Sequence, residues 1–193
     1  RSYLTFPRFA PGARREALRA MIADGVVTEI AVEGPVPRWL VLTRDLPALA
    51  TLLAESPLLR RYGITTRGAR RLLAEALREE DIVLVAVTGP AALGLALVVP
   101  TRAFDRTAYL RLLLVEASTQ SRGIGTALLA AAERRARRGG ARHLALLVTR
   151  TNGGARRFYE RHGYRHVGDL PGLVRPRLDE SMYIKVRLSG RAR

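Results

Sequence analysis

The segment Gln120-Ser121-Arg122-Gly123-Ile124-Gly125-Thr126-Ala127 lies between a near-continuous apolar run at residues 108–115 and a helical stripe of Ile124, Leu128, Ala131, Ala132 and Arg135. The spacing of apolar residues changes there from continuous to helical, so the segment turns a buried strand into an amphipathic helix. Its two glycines remove side chains that would hold a ligand away from the backbone, and the first-turn amides of a helix have no intrahelical acceptors. Such a helix start is an anion site, best matched by a pyrophosphate, and Arg122 adds a permanently charged, bidentate donor. The same glycines would also serve a bare strand-to-helix turn, so the decision rests on the flanking chain.

Two known phosphate loops can be compared with it. The loop holds no lysine, which excludes a P-loop. A dinucleotide-binding turn needs a third glycine where Leu128 stands and a carboxylate about 20 residues further on, and residues 142–150 carry none. Arg150 against a 2′-phosphate keeps NADP as an alternative at this point.

After a strand expected at residues 142–148 comes Asn152-Gly153-Gly154-Ala155-Arg156-Arg157-Phe158-Tyr159-Glu160-Arg161-His162-Gly163-Tyr164. Asn152 is placed to cap a helix whose buried stripe is Ala155, Phe158, Tyr159 and His162 and whose end is Gly163. Gln120-x-x-Gly123-x-Gly125 at a strand–helix junction, followed in order by Asn152, Ala155, Phe158-Tyr159-Glu160 and Gly163-Tyr164, resembles the GNAT superfamily of N-acetyltransferases over residues 39–188. The resemblance implies an α/β fold with a mixed, twisted sheet splayed between its fourth and fifth strands. It also implies acetyl-CoA in the splay and direct transfer of the acetyl group, in a ternary complex, to a primary amine of a small molecule or a protein. Backbone groups of Leu113 and Val115 would pair with the pantetheine. Ser121, Arg122, Gly123, Ile124, Gly125 and Thr126 would hold the pyrophosphate, with Gln120 at the entry to the loop and Asn152 on the cofactor arm.

Moving an acetyl group from a thioester to an amine requires a neutral amine, a polarised carbonyl and a proton for the departing thiolate. A backbone N–H near Val115 is the expected donor to the developing oxyanion. Tyr159 matches the family's general acid, since a phenol of ordinary pKa about 10 can protonate a leaving thiolate. The alternative is a core tyrosine with a satisfied hydroxyl. Many relatives carry a glutamate where Leu147 stands, so the base is expected elsewhere. Glu116, acting directly or through water, is the first candidate; Asp179, Glu180 or a water chain are the others.

Outward from these motifs, helices are expected at residues 46–55 and 66–79, with a loop opened by Ser56-Pro57. Residues 82–87 and 92–99 read as a hairpin, and the apolar run at 108–115 as a strand buried on both faces. Strands at 164–167 and 181–188 close the chain around a loop with Pro171-Gly172 and Arg175-Pro176. The acceptor is expected between the segment 46–79 and the loop 169–180. Arg60, Arg61, Arg67, Arg175 and Arg177 there favour an amine that also carries a carboxylate or phosphate, or a protein amine, over a polycation. A general arginine bias accounts for them equally well.

Residues 1–38 read as a separate extension, a helix at 12–24 and a strand at 26–32 resembling the tail of a winged-helix module; a further strand is expected at 38–43. Residues 39–193 form the acetyltransferase-like domain. The chain starts at Arg1, and Ser2 to Ala10 hold no apolar signal core, so a cytoplasmic protein trimmed of upstream sequence is expected.

With 193 residues, 48% apolar and 26% charged, the chain can fill a core and lacks the composition of a disordered one. The absence of cysteine excludes disulfides, zinc–thiolate sites and a cysteine nucleophile. His143, His162 and His166 do not share a face, so no metal is expected. No apolar run approaches the roughly 20 residues of a membrane span. The net charge of +16, with Lys185 as the only lysine, steers polyanions such as the cofactor's phosphates and does not by itself assign a nucleic-acid partner. The competing reading is a catalytically degenerate domain that binds nucleic acid or protein. A homodimer through the last strands is compatible with either.

Overall fold

The computed structural model describes residues 36–38, 46–88, 91–101 and 103–188. The N-terminal helix and first strand expected before residue 36, and most of the strand expected at 38–43, lie outside the described residues. Among those described, seven strands form one mixed sheet in the order β1-β2-β3-β4-β5-β7-β6. Strand β1 (Val36–Arg38) pairs antiparallel with β2 (Ile82–Thr88), and β2 with β3 (Ala91–Val99) as the expected hairpin.

Helices α1 (Leu46–Glu55) and α3 (Thr66–Arg78) cover one face. Leu49, Leu53, Ala69 and Leu73 pack there on Val83, Val85, Leu95 and Leu97, the residues of one parity in β2 and β3. The opposite parity, Leu84, Ala86, Ala96 and Val98, meets Ile124, Leu128, Leu129 and Ala132 of α4 (Ile124–Arg138). Each fully buried leucine contributes about 1.5–3 kcal/mol, so both helical layers are anchored through the same two strands. Ser56-Pro57, expected as a loop, instead opens a short helix, α2 (Pro57–Arg61): Ser56 caps it by accepting from the Leu59 N–H at 3.4 Å, and proline suits the first helical position.

Strand β4 (Thr107–Val115) pairs antiparallel with β3 and parallel with β5 (His143–Thr149). The parallel pairing runs only from Thr107↔His143 to Leu110↔Leu146. Beyond it β4 stays with β3 while β5 stays with β7 (Leu178–Lys185), so the two strands diverge between fourth and fifth position as expected. The outer half of β4 is therefore not buried on both faces; Arg111 is exposed and residues 112–115 are partly exposed. The closed end of the splay is pinned by a left-handed turn at Phe104, Asp105 and Arg106. There the Arg142 N–H donates to the Arg106 carbonyl at 2.9 Å and its guanidinium to Asp105 at 2.8 Å.

Helix α5 (Gly153–Arg161) begins as expected, with Asn152 Oδ1 accepting from the Ala155 N–H at 3.1 Å. The following strand departs from expectation. Instead of stopping at residue 167 and looping, β6 (Arg165–Arg175) continues to Arg175, and only Pro176-Arg177 turns before β7. Pro171-Gly172 lies inside the strand where the register slips between Leu170 and Arg175, which an edge strand tolerates because its outer N–H groups need no partner.

Candidate active site

The loop into α4 is a row of backbone donors. Gln120 N–H still bonds the Ala117 carbonyl and Ala127 N–H the Gly123 carbonyl, at 3.4 and 3.0 Å. The six amides between them, residues 121–126, have no protein acceptor among the described residues. Gly123 caps α4 at φ +81°, a left-handed conformation that glycine adopts without strain, and Ser121 is also left-handed at φ +64°. The turns aim successive N–H groups outward at the positive end of a 15-residue helix, with exposed Arg122 and Thr126 beside them.

Beside this row runs the open edge of β4. The Glu116 N–H donates to Leu93 of β3 at 2.8 Å, so the planar peptide turns the Val115 carbonyl the other way, toward the splay. By alternation the backbone groups of Leu113 share that direction. The side chain of Gln120 reaches back to the Val115 carbonyl at 3.3 Å.

A cleft of about 410 Å³ lies between β4, β5, the helices α1–α3 and the β6–β7 hairpin, with Leu113, Thr149, Asn152 and Tyr159 among its walls. Tyr159 is 7% exposed, its ring edge-on to Phe158 and Tyr164. Its hydroxyl has no hydrogen-bond partner among the described residues. Burial, reinforced by nearby Tyr109, pushes its pKa above the ordinary phenol value, so it keeps its proton through the neutral range. A larger depression of about 560 Å³ is lined only by α1, α2 and the turns up to the start of α3, away from the splayed strands.

Glu116 is placed elsewhere. Its carboxylate accepts from the Ser118 N–H at 3.1 Å and the Ser118 hydroxyl at 2.5 Å, capping the 3-10 turn Ala117–Thr119, and it is not among the cleft-lining residues. Those bonds hold its pKa below the usual carboxylate range, the opposite of what a base for an ammonium needs.

The carboxylate in the cleft is Glu180 of β7, 3% exposed. Tyr62, at the C-terminal end of α2, donates its hydroxyl to Glu180 Oε1 and lies 2.5 Å from the Thr149 hydroxyl. Burial and the Glu180 contact push the Tyr62 phenol up to about 12. Arg175 donates to the Tyr62 carbonyl at 2.5 Å, tying the helix turn to β6. Thus the segment 46–79 and the loop 169–180 do converge, through Arg175, which the sequence offered only for its charge, and through Tyr62 and Thr149, which it did not single out. Asp179 and Glu180 are the only carboxylate side chains after Asp169, the one signal that pointed there. Asp179 itself faces Arg150 at 3.3 Å. Among the described residues no three His, Asp or Glu side chains gather as a metal site, and no helix is long and apolar enough to cross a membrane.

The Acetyltransferase (GNAT) family model matches residues 47–164. No curated protein sequence matches the chain. A GNAT-family protein from Desulfovibrio desulfuricans superposes with a TM-score of 0.68 at 24% identity, covering 80% of this chain and 99% of the other. A ribosomal-protein-alanine N-acetyltransferase from Brucella melitensis gives 0.64 at 22% identity, over 78% and 99%. An aminoglycoside 6′-N-acetyltransferase complexed with coenzyme A gives 0.65 at 20%, over 82% and 99%. At these identities the likeness is one of fold.

Proposed function

The chain belongs to the GNAT acetyltransferase family, and on that basis we propose that it is an acetyl-CoA-dependent N-acetyltransferase acting on a primary amine by direct transfer. The observation that carries the reading is the row of six amides at residues 121–126 that have no protein acceptor among the described residues, set at the mouth of the splay between β4 and β5. A pyrophosphate is the ligand such a row suits, and the family neighbour with bound coenzyme A shares this fold. Ser121, Arg122, Gly123, Ile124, Gly125 and Thr126 hold the pyrophosphate. Leu113 and Val115 offer backbone groups to the pantetheine, and Asn152 and Gln120 border the arm. Acetyl-CoA supplies the activated acyl group.

Tyr159 then acts as general acid. A buried tyrosine normally finds a partner for its hydroxyl, and this one has none among the described residues while facing the cleft. A hydroxyl held protonated by burial is ready to protonate the leaving thiolate.

Thermal unfolding with acetyl-CoA, and with NADP and ATP as equally anionic controls at moderate salt, tests the cofactor. A ligand at a hundred times its Kd contributes about 2.7 kcal/mol, or roughly 5–10 °C for a domain of this size. Stabilisation by acetyl-CoA alone is expected; equal shifts with all three ligands, or none, would overturn the assignment.

A further inference from the structure

We propose that the Glu180 carboxylate binds the acceptor's ammonium and takes its proton, and that the acceptor is a primary amine bearing one positive charge on an apolar body. The proposal rests on the acetyltransferase reading and deepens it. Among the described residues lining the cleft, Glu180 is the one carboxylate. It is 3% exposed, Tyr62 occupies its Oε1, and its Oε2 has no partner among the described residues. A buried carboxylate with an open oxygen facing a cleft is incomplete without a cationic donor.

The walls define what carries that cation. Leu53, Leu59 and Leu72 come from the helices, Ile64 from the turn between α2 and α3 and Val174 from β6, an apolar lining with room for a hydrocarbon or aromatic group. Arg111 and Arg175 line the same space, the first 3.7 Å from Glu75 and the second on the Tyr62 carbonyl. A second positive charge on the acceptor would meet these guanidinium groups and no further carboxylate.

Glu180 also lies on the same side as the acid. Glu180, Tyr109 and Tyr159 line one continuous space. Burial, opposed by the Tyr62 hydrogen bond and aided by Asp179, raises the pKa of Glu180 toward that of a useful base. The step balances as follows. The ammonium gives one proton to Glu180, and the neutral nitrogen attacks the thioester carbon. The C–N bond forms as the C–S bond breaks, and Tyr159 protonates the departing sulfur. The tyrosinate recovers a proton from the nitrogen, and Glu180 releases its own to water. The sum is ammonium plus thioester giving amide, thiol and one proton.

The test is titration calorimetry of the full chain, with and without coenzyme A, using 2-phenylethylamine, its neutral analogue 2-phenylethanol, and the polycation spermidine. The wild type is expected to bind 2-phenylethylamine at least about tenfold more tightly than either of the others. Glu180→Gln should reduce that amine to the affinity of the alcohol while acetyl-CoA binding, measured in parallel, is unchanged. In turnover of 2-phenylethylamine, the acid limb of kcat/KM should be lost in Glu180→Gln. The charged and titratable groups that share the cleft with Glu180 or act on it are Tyr62, Tyr109, Tyr159, Arg111, Arg175 and Asp179, and Asp179 is the one other carboxylate among them. Asp179→Asn should therefore retain the limb. Equal binding of alcohol and amine by the wild type, tighter binding of spermidine, or full amine affinity in Glu180→Gln would each overturn the proposal. That wild-type comparison stands even if the variant fails to fold. Loss of acetyl-CoA binding by the wild type would instead overturn the acetyltransferase reading.

Discussion

The Tyr62 hydroxyl donates a hydrogen bond to the Glu180 carboxylate across 118 residues of chain, joining the end of a helix to the start of β7. Within the cleft this bond opposes burial, drawing the Glu180 pKa down while desolvation pushes it up. Tyr62→Phe removes the lowering contribution, so the Glu180 pKa rises and less carboxylate is ionised at a given pH. The acid limb of the kcat/KM profile should move to higher pH with the plateau little changed. An unmoved limb would mean that Tyr62 does not touch Glu180 during turnover.

The same burial makes Glu180 a cost to stability. A carboxylate whose folded pKa lies above its unfolded value leaves the native state binding more protons between the two values, so stability falls as pH rises through that window. Above the folded pKa the whole cost is present. Glu180→Gln keeps an acceptor for Tyr62 and removes the charge, and should raise Tm at pH 7 by roughly 2–4 °C for each kcal/mol released. The advantage should shrink as pH falls through the acidic range. A variant less stable than wild type at pH 7 would show that Glu180 is held in place for structure.

These contacts mark how far the sequence could be read. The turn at Gly123 and the cap at Asn152 are local events: each depends on residues within four positions, and both were legible. The edge strand β6 was not, because Pro171-Gly172 ordinarily ends a strand and here sits in a register slip that only the pairing with β7 sustains. Glu116 is the carboxylate nearest in sequence to the phosphate loop, and that nearness is what lets Ser118 occupy it. Glu180 reaches the cleft only because β7 inserts beside β5, pairing Glu180 with Thr149, a tertiary fact with no local signature.

Gly94 marks where α4 and β4 press closest on β3. A Cβ there would stand 2.8 Å from Leu128 Cδ1 and 2.9 Å from the Leu114 carbonyl oxygen. The leucine can rotate; the carbonyl, part of β4 at the open edge of the splay, must shift. Gly94→Ala should cost about 1–3 kcal/mol, lowering Tm by roughly 2–12 °C. It should weaken acetyl-CoA binding as well, since Leu114 lies between the two residues offered to pantetheine. An unchanged Tm in a thermal melt would contradict the packing described.

Tyr159 separates a structural from a chemical role most directly. Were it core alone, deleting its hydroxyl would leave turnover intact. The hydroxyl lacks a partner among the described residues, so Tyr159→Phe removes a buried polar group that makes no bond and should leave Tm unchanged or slightly higher. Acetyl-CoA binding should be retained, because the amides at residues 121–126 are untouched. The rate should nonetheless fall by about 10²–10⁴-fold in kcat, the usual worth of a positioned general acid. A thiol-release assay alongside a thermal melt reads both quantities on one preparation. A stable variant with wild-type kcat would assign the protonation of the leaving thiolate to another group or to water.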